Sequence, residues 1–416
     1  MGRTKRFVEV FIGETEPVLV GSAFFNESGS RLTTTFSYSE EWLSSQEPFA
    51  LAPRAELTQK TSYWQGLPSF LADSSPDRWG RSLIKMGANR QVLPSRQPSP
   101  TLDDVGFLVE VDDWARMGAY RIRYNGGTDF VGENTAIPKL DMLPKLAFEA
   151  SQFETDDYAV EPLRSLLAVG ASALGGARPK VTVARDGALY VAKFPSREDA
   201  PDAAAWEAWA LKVAQSAGCK VPEVSTYSIG SSAALLSKRF DRDGSRRVAY
   251  MSGRTLLAQG NEVTQTDYAD LGDSISYWCA DPSKDLLELF KRVVISIAIH
   301  NTDDHMNNHG FIHEANGWKL APLFDVNPNF DLGTERVTNI YGYRGPEESD
   351  GLPLLAKSFG LSSAQVADVV EEAHEALRSS WLQAHKLGCR ERKIAFAQEF
   401  VTENLSRIFT STKQYA

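Results

Sequence analysis

Residues 300–330 read HNTDDHMNNHGFIHEANGWKLAPLFDVNPNF. Three side chains in this stretch have the types and spacing of a phosphoryl-transfer centre. Asp303 can accept the proton of a substrate hydroxyl, while Asn308 and Asp325 can hold a magnesium ion that bridges nucleotide phosphates. Magnesium keeps several waters and takes one or two protein oxygens beside phosphate, so no full cage of ligands is needed. Protein kinases place an Asp and an Asn in one loop and a separate metal-binding Asp beyond it; the HRD and DFG triplets of ordinary protein kinases are absent here. The same stretch offers a rival chemistry. His300, His305, His309 and His313 lie close together, and His with Asp can build a metallohydrolase centre. Gly310 and the Asn316-Gly317 turn argue against a helix over 309–320, which leaves His305 as a brace for the loop.

Upstream pieces add to the first chemistry. GASALGGARPK (170–180) precedes a strand; its glycines let backbone N–H groups approach phosphate oxygens, and Arg178 and Lys180 add positive charge. It lacks the GxxxxGK[ST] pattern, and by itself it reads better as a plain glycine-rich turn. Lys193 stands in LYVAKFP among apolar neighbours and needs a partner or solvent. Glu207, in the following helix, is the natural partner, as in the kinase Lys–Glu ion pair. In LLSKRFDR (235–242) an apolar strand turns polar, and the backbone of Lys238 and Phe240 can bond adenine there. Lys238, Arg239, Arg242, Arg246, Arg247 and Arg254 outnumber Asp241 and Asp243, so this region is also the best candidate for a local anion-binding surface.

These residues need elements to hold them. Residues 7–38 alternate apolar and polar in runs broken by glycines, a hairpin pattern. Asp77 to Met86 suits a helix, 91–102 is a Pro- and Ser-rich loop, and 104–125 reads as two strands, the second AYRIRY. A boundary falls near 145. A helix with LRSLLA follows, then strands KVTVAR and ALYVAKF around Asp186-Gly187, a strong hairpin signal. A helix is expected over 203–217, strands over 224–229 and 233–240, and a nearly all-apolar helix over 285–300. Asn316-Gly317 marks a hairpin between GFI and WKLA. Ser362 with Gln365 is a capping box opening a helix that runs to about Lys386 and stops at Gly388, before a final helix over 391–409. The expected segments are a β-rich 1–145, an α+β lobe over 146–255 carrying the glycine loop, strand lysine and hinge, and a helical lobe over 256–416. A β lobe beside a helical lobe makes a cleft of the kind that binds nucleotides.

Composition narrows the class. The 416 residues are 42% hydrophobic and 24% charged, as in ordinary soluble globular proteins, with a net charge of -10 that argues against whole-surface attraction to nucleic acid or anionic membrane. The three cysteines are widely spaced, which fits a reducing cytoplasm. Glu9 interrupts the N-terminal apolar run, so no secretory signal is expected, and Val293–Ile299 is too short to span a bilayer.

GGARPKV, VAKFP, KRFDR, NTDDHMNNHGF and PLFDV closely resemble the HipA family of serine/threonine kinases, toxins of bacterial toxin–antitoxin pairs linked to persistence. SSPDRWGR and the hairpin-rich start resemble that family's N-terminal subdomain, so the resemblance covers nearly the whole chain. It implies a two-lobed, kinase-like α+β fold using ATP and Mg2+. It places the catalytic base on Asp303, metal ligands on Asn308 and Asp325, the strand lysine on Lys193, the glycine loop on Gly175, Gly176, Ala177, Arg178 and Lys180, and the hinge on Lys238, Arg239 and Phe240, with Phe324 against the nucleotide and His305 beside it. It also implies a protein substrate such as an aminoacyl-tRNA synthetase, a helix-turn-helix antitoxin, and DNA reached only through that antitoxin. The family's self-phosphorylated serine falls by spacing on Ala173; Ser172, one residue away, is the autophosphorylation candidate. A metal-dependent phosphohydrolase and a non-catalytic nucleotide-binding regulator are the alternatives.

Overall fold

The structure, a computed structural model, describes residues 4–29, 31–94, 102–132, 137–155, 160–171, 173, 176, 178–230, 232–258, 265–331 and 333–413. The chain is α+β and divides into two compact units, one made of residues 1–199 and 238–251, the other of 200–237 and 252–416.

The first unit opens with an antiparallel sheet. Strands β1 (Thr4–Ile12), β2 (Val18–Ser28), β3 (Arg31–Tyr38), β4 (Ser62–Gln65) and β5 (Arg121–Tyr124) lie in the order β4-β3-β2-β1-β5. Alternation sets which face is inside: Thr34, Phe36 and Tyr38 of β3 are buried, and Phe36 meets Phe70 edge-on at 5.1 Å. Helix α1 (Arg78–Arg90) begins at Asp77, whose carboxylate accepts the Arg78 N–H, and buries Trp79, Leu83 and Ile84. Of the two strands expected over 104–125, only the second forms. Asp104–Val109 is a short helix, α2, capped by the Asp103 carboxylate on the Gly106 N–H at 2.9 Å. Val105 to Val109 are all buried, so the stretch carries no alternation; a short apolar run fits strand or helix alike, and the cap decides. Helices α3 (Leu143–Thr155) and α4 (Val160–Ala168) follow, and α3 occupies the stretch around residue 145. The hairpin of β6 (Lys180–Arg185) and β7 (Ala188–Lys193) turns through Asp186 at φ 49° and Gly187 at φ 78°, the paired left-handed residues a two-residue turn demands.

Residues 238–251 return to this unit and are tied down by buried charge. The Arg239 guanidinium donates to both oxygens of Asp241 (2.9 and 2.7 Å), to Thr182 Oγ1 and to the carbonyls of Ala115 and Arg116. Arg242 also donates to Asp241, at 2.7 Å. Arg247 donates to the Asp113 carboxylate at 2.9 Å and to Glu14, and Arg121 shares Asp113. Burial alone would raise the Asp241 carboxyl; the Arg239 and Arg242 charges and the Gly118 N–H outweigh it and hold it well below the usual range.

In the second unit, helix α5 (Ala203–Ser216) precedes strands β8 (Val224–Ile229) and β9 (Ser232–Lys238), whose last residue, Lys238, is counted with the first unit. Helices α6 (Tyr268–Trp278) and α7 (Pro282–Ala298) come next; α7 buries Leu289 to Ala298 almost continuously, as its apolar sequence requires. The hairpin β10 (Gly310–Glu314) and β11 (Gly317–Leu320) follows. The capping box at Ser362 and Gln365 makes both reciprocal bonds. The helix it opens is two: α8 (Ser363–Ser379) breaks before α9 (Trp381–Leu387). At the break the Ser380 hydroxyl accepts the Trp209 indole N–H at 3.0 Å and Trp381 stacks on Trp209, so tertiary packing overrides a locally continuous helix. α9 ends at Gly388 in the left-handed conformation, and α10 (Glu391–Lys413) closes the unit. Among the described residues no helix is long and apolar enough to cross a membrane.

Candidate active site

The loop after α7 is built from its end. The helix closes with paired bonds from His300 N–H to the Ile297 carbonyl (3.0 Å) and from Asn301 N–H to the Ser296 carbonyl (2.8 Å). This closure puts the residue after the helix in the left-handed region, usually a glycine's place; here it is His300 at φ 52°, at a cost of roughly 1 kcal/mol. The next carbonyls are all engaged. His300 O accepts from Asn329 N–H (3.2 Å), Thr302 O from Val337 N–H (2.9 Å), Asp303 O from the Asn308 amide (2.9 Å) and Asp304 O from the Thr338 hydroxyl. His309 O takes the Gly253 N–H at 2.6 Å. On this pinned backbone the Asp303 side chain is exposed, while Asn301, Thr302, Asp304 and Asn308 are buried.

Asp325 lies on a segment laced to the same loop. Asn327 N–H donates to the Asn301 side chain (3.4 Å), the Asn329 amide donates to Thr302 Oγ1 (3.0 Å), and the Asn327 amide donates to Asp325 Oδ1 (3.1 Å). Asp325 is half-buried with φ 57°. Two left-handed, non-glycine residues thus bracket the loop and the acidic segment, a form of strain that collects at functional sites. Phe324, beside it, is also half-buried. Residue reading singled out Asp303, Asn308 and Asp325 but missed Asn301, Asn327 and Asn329, for which the only sequence signal is the asparagine density of the segment.

The histidines do not converge. His309 Nε2 pairs with Asp304 Oδ1 at 3.0 Å, His300 faces Glu348, and His313 packs edge-on against Trp318, its pKa lowered by burial to about 4. Among the described residues no group of three His, Cys, Asp or Glu is placed to hold a metal. His305 is half-buried, its carbonyl accepts the Asn308 N–H (2.8 Å), and its Nδ1 is buried without a hydrogen-bond partner.

Asp304 is the centre of a buried polar cluster. It accepts from Tyr268 Oη and from Ser296 Oγ (2.9 Å), and Ser296 in turn accepts from Arg336, which pairs with Glu348 at 2.8 Å. Burial would raise the Asp304 carboxyl, but His309, Arg336 and Tyr268 hold it well below the ordinary range. Burial, then the Asp304 charge, push the Tyr268 hydroxyl far up, so it remains a donor.

The remaining candidates are carried by other segments. Lys193 is half-buried on β7, directly across from the buried Lys180. Arg178 pairs with Asp199 at 3.0 Å. Gly176, at φ 106°, donates its N–H to Asp77 Oδ2 (3.0 Å) and accepts from Trp79 N–H (3.3 Å); Gly175, Ala177 and Ser172 lie outside the described residues. Glu207 is buried on α5. Lys238 is exposed and Phe240 half-buried. The Arg239 guanidinium is buried against Asp241, and its backbone N–H donates to the Leu189 carbonyl at 2.8 Å. Of the basic residues expected to form an anion-binding surface over 238–254, Arg239, Arg242 and Arg247 are instead buried against carboxylates, while Lys238 and Arg246 are exposed.

Two family models match: the HipA-like C-terminal domain over residues 172–381 and the HipA N-terminal domain over 10–107. The chain belongs to the HipA kinase family. Among solved structures, HipA from Shewanella oneidensis MR-1, in a toxin–antitoxin complex with HipB and operator DNA, superposes with a TM-score of 0.71 at 15% identity over 98% of this chain and 99% of that one, which places this HipA-family chain in the same fold. The Helicobacter pylori proinflammatory kinase CtkA matches at a TM-score of 0.40 and 15% identity, over 56% of this chain and 93% of that one. A curated relative, Y4mE of Sinorhizobium fredii (strain NBRC 101917 / NGR234), whose name carries the word kinase, is 24% identical over 207 residues, 45% of this chain; the match spans about half, 48%, of that relative's length.

Proposed function

We propose that this HipA-family chain is an ATP- and magnesium-dependent protein serine/threonine kinase, with Asp303 as the base that takes the proton of a substrate hydroxyl. The observation that carries the reading is the exposed Asp303 on a loop whose successive carbonyls are all hydrogen-bonded. A base held this way meets its substrate without reorganising, which is the main protein contribution to phosphoryl transfer. The residues suit a nucleotide with its metal. The Asn308 amide nitrogen is turned to Asp303 O, so the opposite end of that amide is the hard oxygen a magnesium ion takes. Buried His305 Nδ1, with no partner in the protein, is a polar atom that a bound group would satisfy. Bound ATP would supply the phosphoryl group, and magnesium would neutralise its developing charge. Lys193, Glu207, the glycine loop, Lys238, Phe240 and Phe324 enter on the family resemblance. So do an aminoacyl-tRNA synthetase as substrate class, a small helix-turn-helix antitoxin as partner, DNA reached through it, and Ser172 as autophosphorylation site, while a cytoplasmic location rests on the three widely spaced cysteines and the three-segment division on the element pattern. The HipB and operator DNA of the Shewanella complex support the partner.

Incubating the purified chain and a cell lysate with γ-labelled ATP tests the proposal. Label on protein serine or threonine is expected. Release of all label to water would favour hydrolysis, and stabilisation by Mg–ATP without turnover would favour a regulator. Asn308→Ala and Asp325→Asn should each weaken Mg–ATP binding on the order of tenfold, about 1.4 kcal/mol, and added magnesium should restore part of it. Isothermal titration at two magnesium concentrations reads this; unchanged affinity in both variants would remove the two residues from the metal role.

A further inference from the structure

We infer that Asp304, which faces away from solvent, is a positioning residue that sets the aim of Asp303, an inference that rests on the kinase reading above. Adjacent residues on a loop share a peptide, so fixing one side chain restricts the backbone dihedrals of its neighbour. Asp304 is fixed on every side. Its carboxylate accepts from the Tyr268 and Ser296 hydroxyls, His309 Nε2 lies 3.0 Å from its Oδ1, and its carbonyl accepts from the Thr338 hydroxyl. Arg336 reaches the same carboxylate at 3.7 Å while bonded to Ser296 and Glu348. These partners come from α6, α7, the loop residue before β10 and the segment around 336–338, so four separate parts of the unit are referenced to one side chain. On the other side of Asp303, Thr302 is clamped by Val337 and Asn329. Asp303 therefore sits between two anchored residues, and the Asp304 anchor is the one that joins helices to loop.

A residue of this kind acts on the chemical step and not on nucleotide binding. Asp304→Asn keeps the volume but turns one oxygen into a donor that faces donors. It should lower kcat by about a hundredfold, the size expected when a reacting group is misplaced by roughly 1 Å. The KM for ATP should stay within about threefold, since removing an interaction that serves only the transition state leaves ground-state binding intact. Tyr268→Phe is the gentler variant: it preserves the ring packed against His309 and removes one bond, and a drop of about tenfold in kcat at unchanged KM is expected. The assay is steady-state phosphotransfer by the full chain, with rates normalised to the folded fraction from circular dichroism. Wild-type kcat in either folded variant would overturn the inference. So would loss of kcat and ATP affinity together in step with the unfolded fraction, which is what a merely structural role produces. If Asp304→Asn does not fold, Tyr268→Phe decides alone. Asp303→Asn, run beside them, separates the two levels. Full activity there defeats the kinase reading itself, whereas a dead Asp303→Asn beside a fully active Tyr268→Phe defeats only the positioning role.

Discussion

Asp303→Asn should fold normally, retain Mg–ATP binding and lose phosphotransfer by about 10² to 10⁴-fold, the range for removal of a positioned general base. The substitution keeps the shape of an exposed side chain and leaves every backbone bond of the loop in place, including the Asn308 amide on the Asp303 carbonyl. Single-turnover transfer of labelled phosphate checks the prediction, and a variant with near wild-type turnover would take the base assignment away from this residue.

The second large effect is on stability. Asp241→Asn should destabilise the first unit by about 3 to 5 kcal/mol, because it leaves the Arg239 and Arg242 guanidinia buried with their countercharge removed. Urea unfolding monitored by fluorescence measures it. The pH dependence provides a second reading. The folded-state pKa of Asp241 is depressed below its ordinary 3.8, so its contribution is complete above that pH and is lost as pH falls through the depressed value. Native and variant proteins should differ fully at neutral pH and converge in strong acid. A constant difference down to the lowest pH reached would mean that the charge of Asp241 is not what holds the arginines.

What the sequence reveals depends on how far apart the partners are. The Asp186-Gly187 turn, the Ser362–Gln365 capping box and the Gly388 stop are written within a few residues, and each forms as read. The bond from the Asn308 amide to the Asp303 carbonyl is likewise local, since five positions separate the two residues. Asp104–Val109 reads as strand yet folds as helix, because burial on all sides erases periodicity. The break at Ser380 depends on Trp209, far upstream, and no local signal announces it. Arg239, Arg242 and Arg247 look like an exposed basic cluster when charges are counted along the chain. Their carboxylates include Asp113 and Glu14, which only the fold brings near. Arg336 and Glu348 escape notice likewise, because an ion pair under a loop has no spacing rule.

The first unit is discontinuous, and this orders events during synthesis. When residue 199 leaves the ribosome, the sheet and the β6–β7 hairpin exist, but the piece 238–251 does not. Until it arrives, Asp113 lacks Arg247, and the carbonyls of Ala115 and Arg116 lack the Arg239 guanidinium. Between those two pieces the ribosome must first produce α5, β8 and most of β9, which belong to the other unit. The usual order, in which an N-terminal domain completes itself before the next begins, is therefore closed to this chain. A polypeptide ending at residue 199 should emerge with the Ala115 and Arg116 carbonyls uncompensated and Asp113 left with Arg121 alone, prone to aggregate and to proteolysis, and supplying 238–251 as a separate peptide is the most direct way to make it soluble.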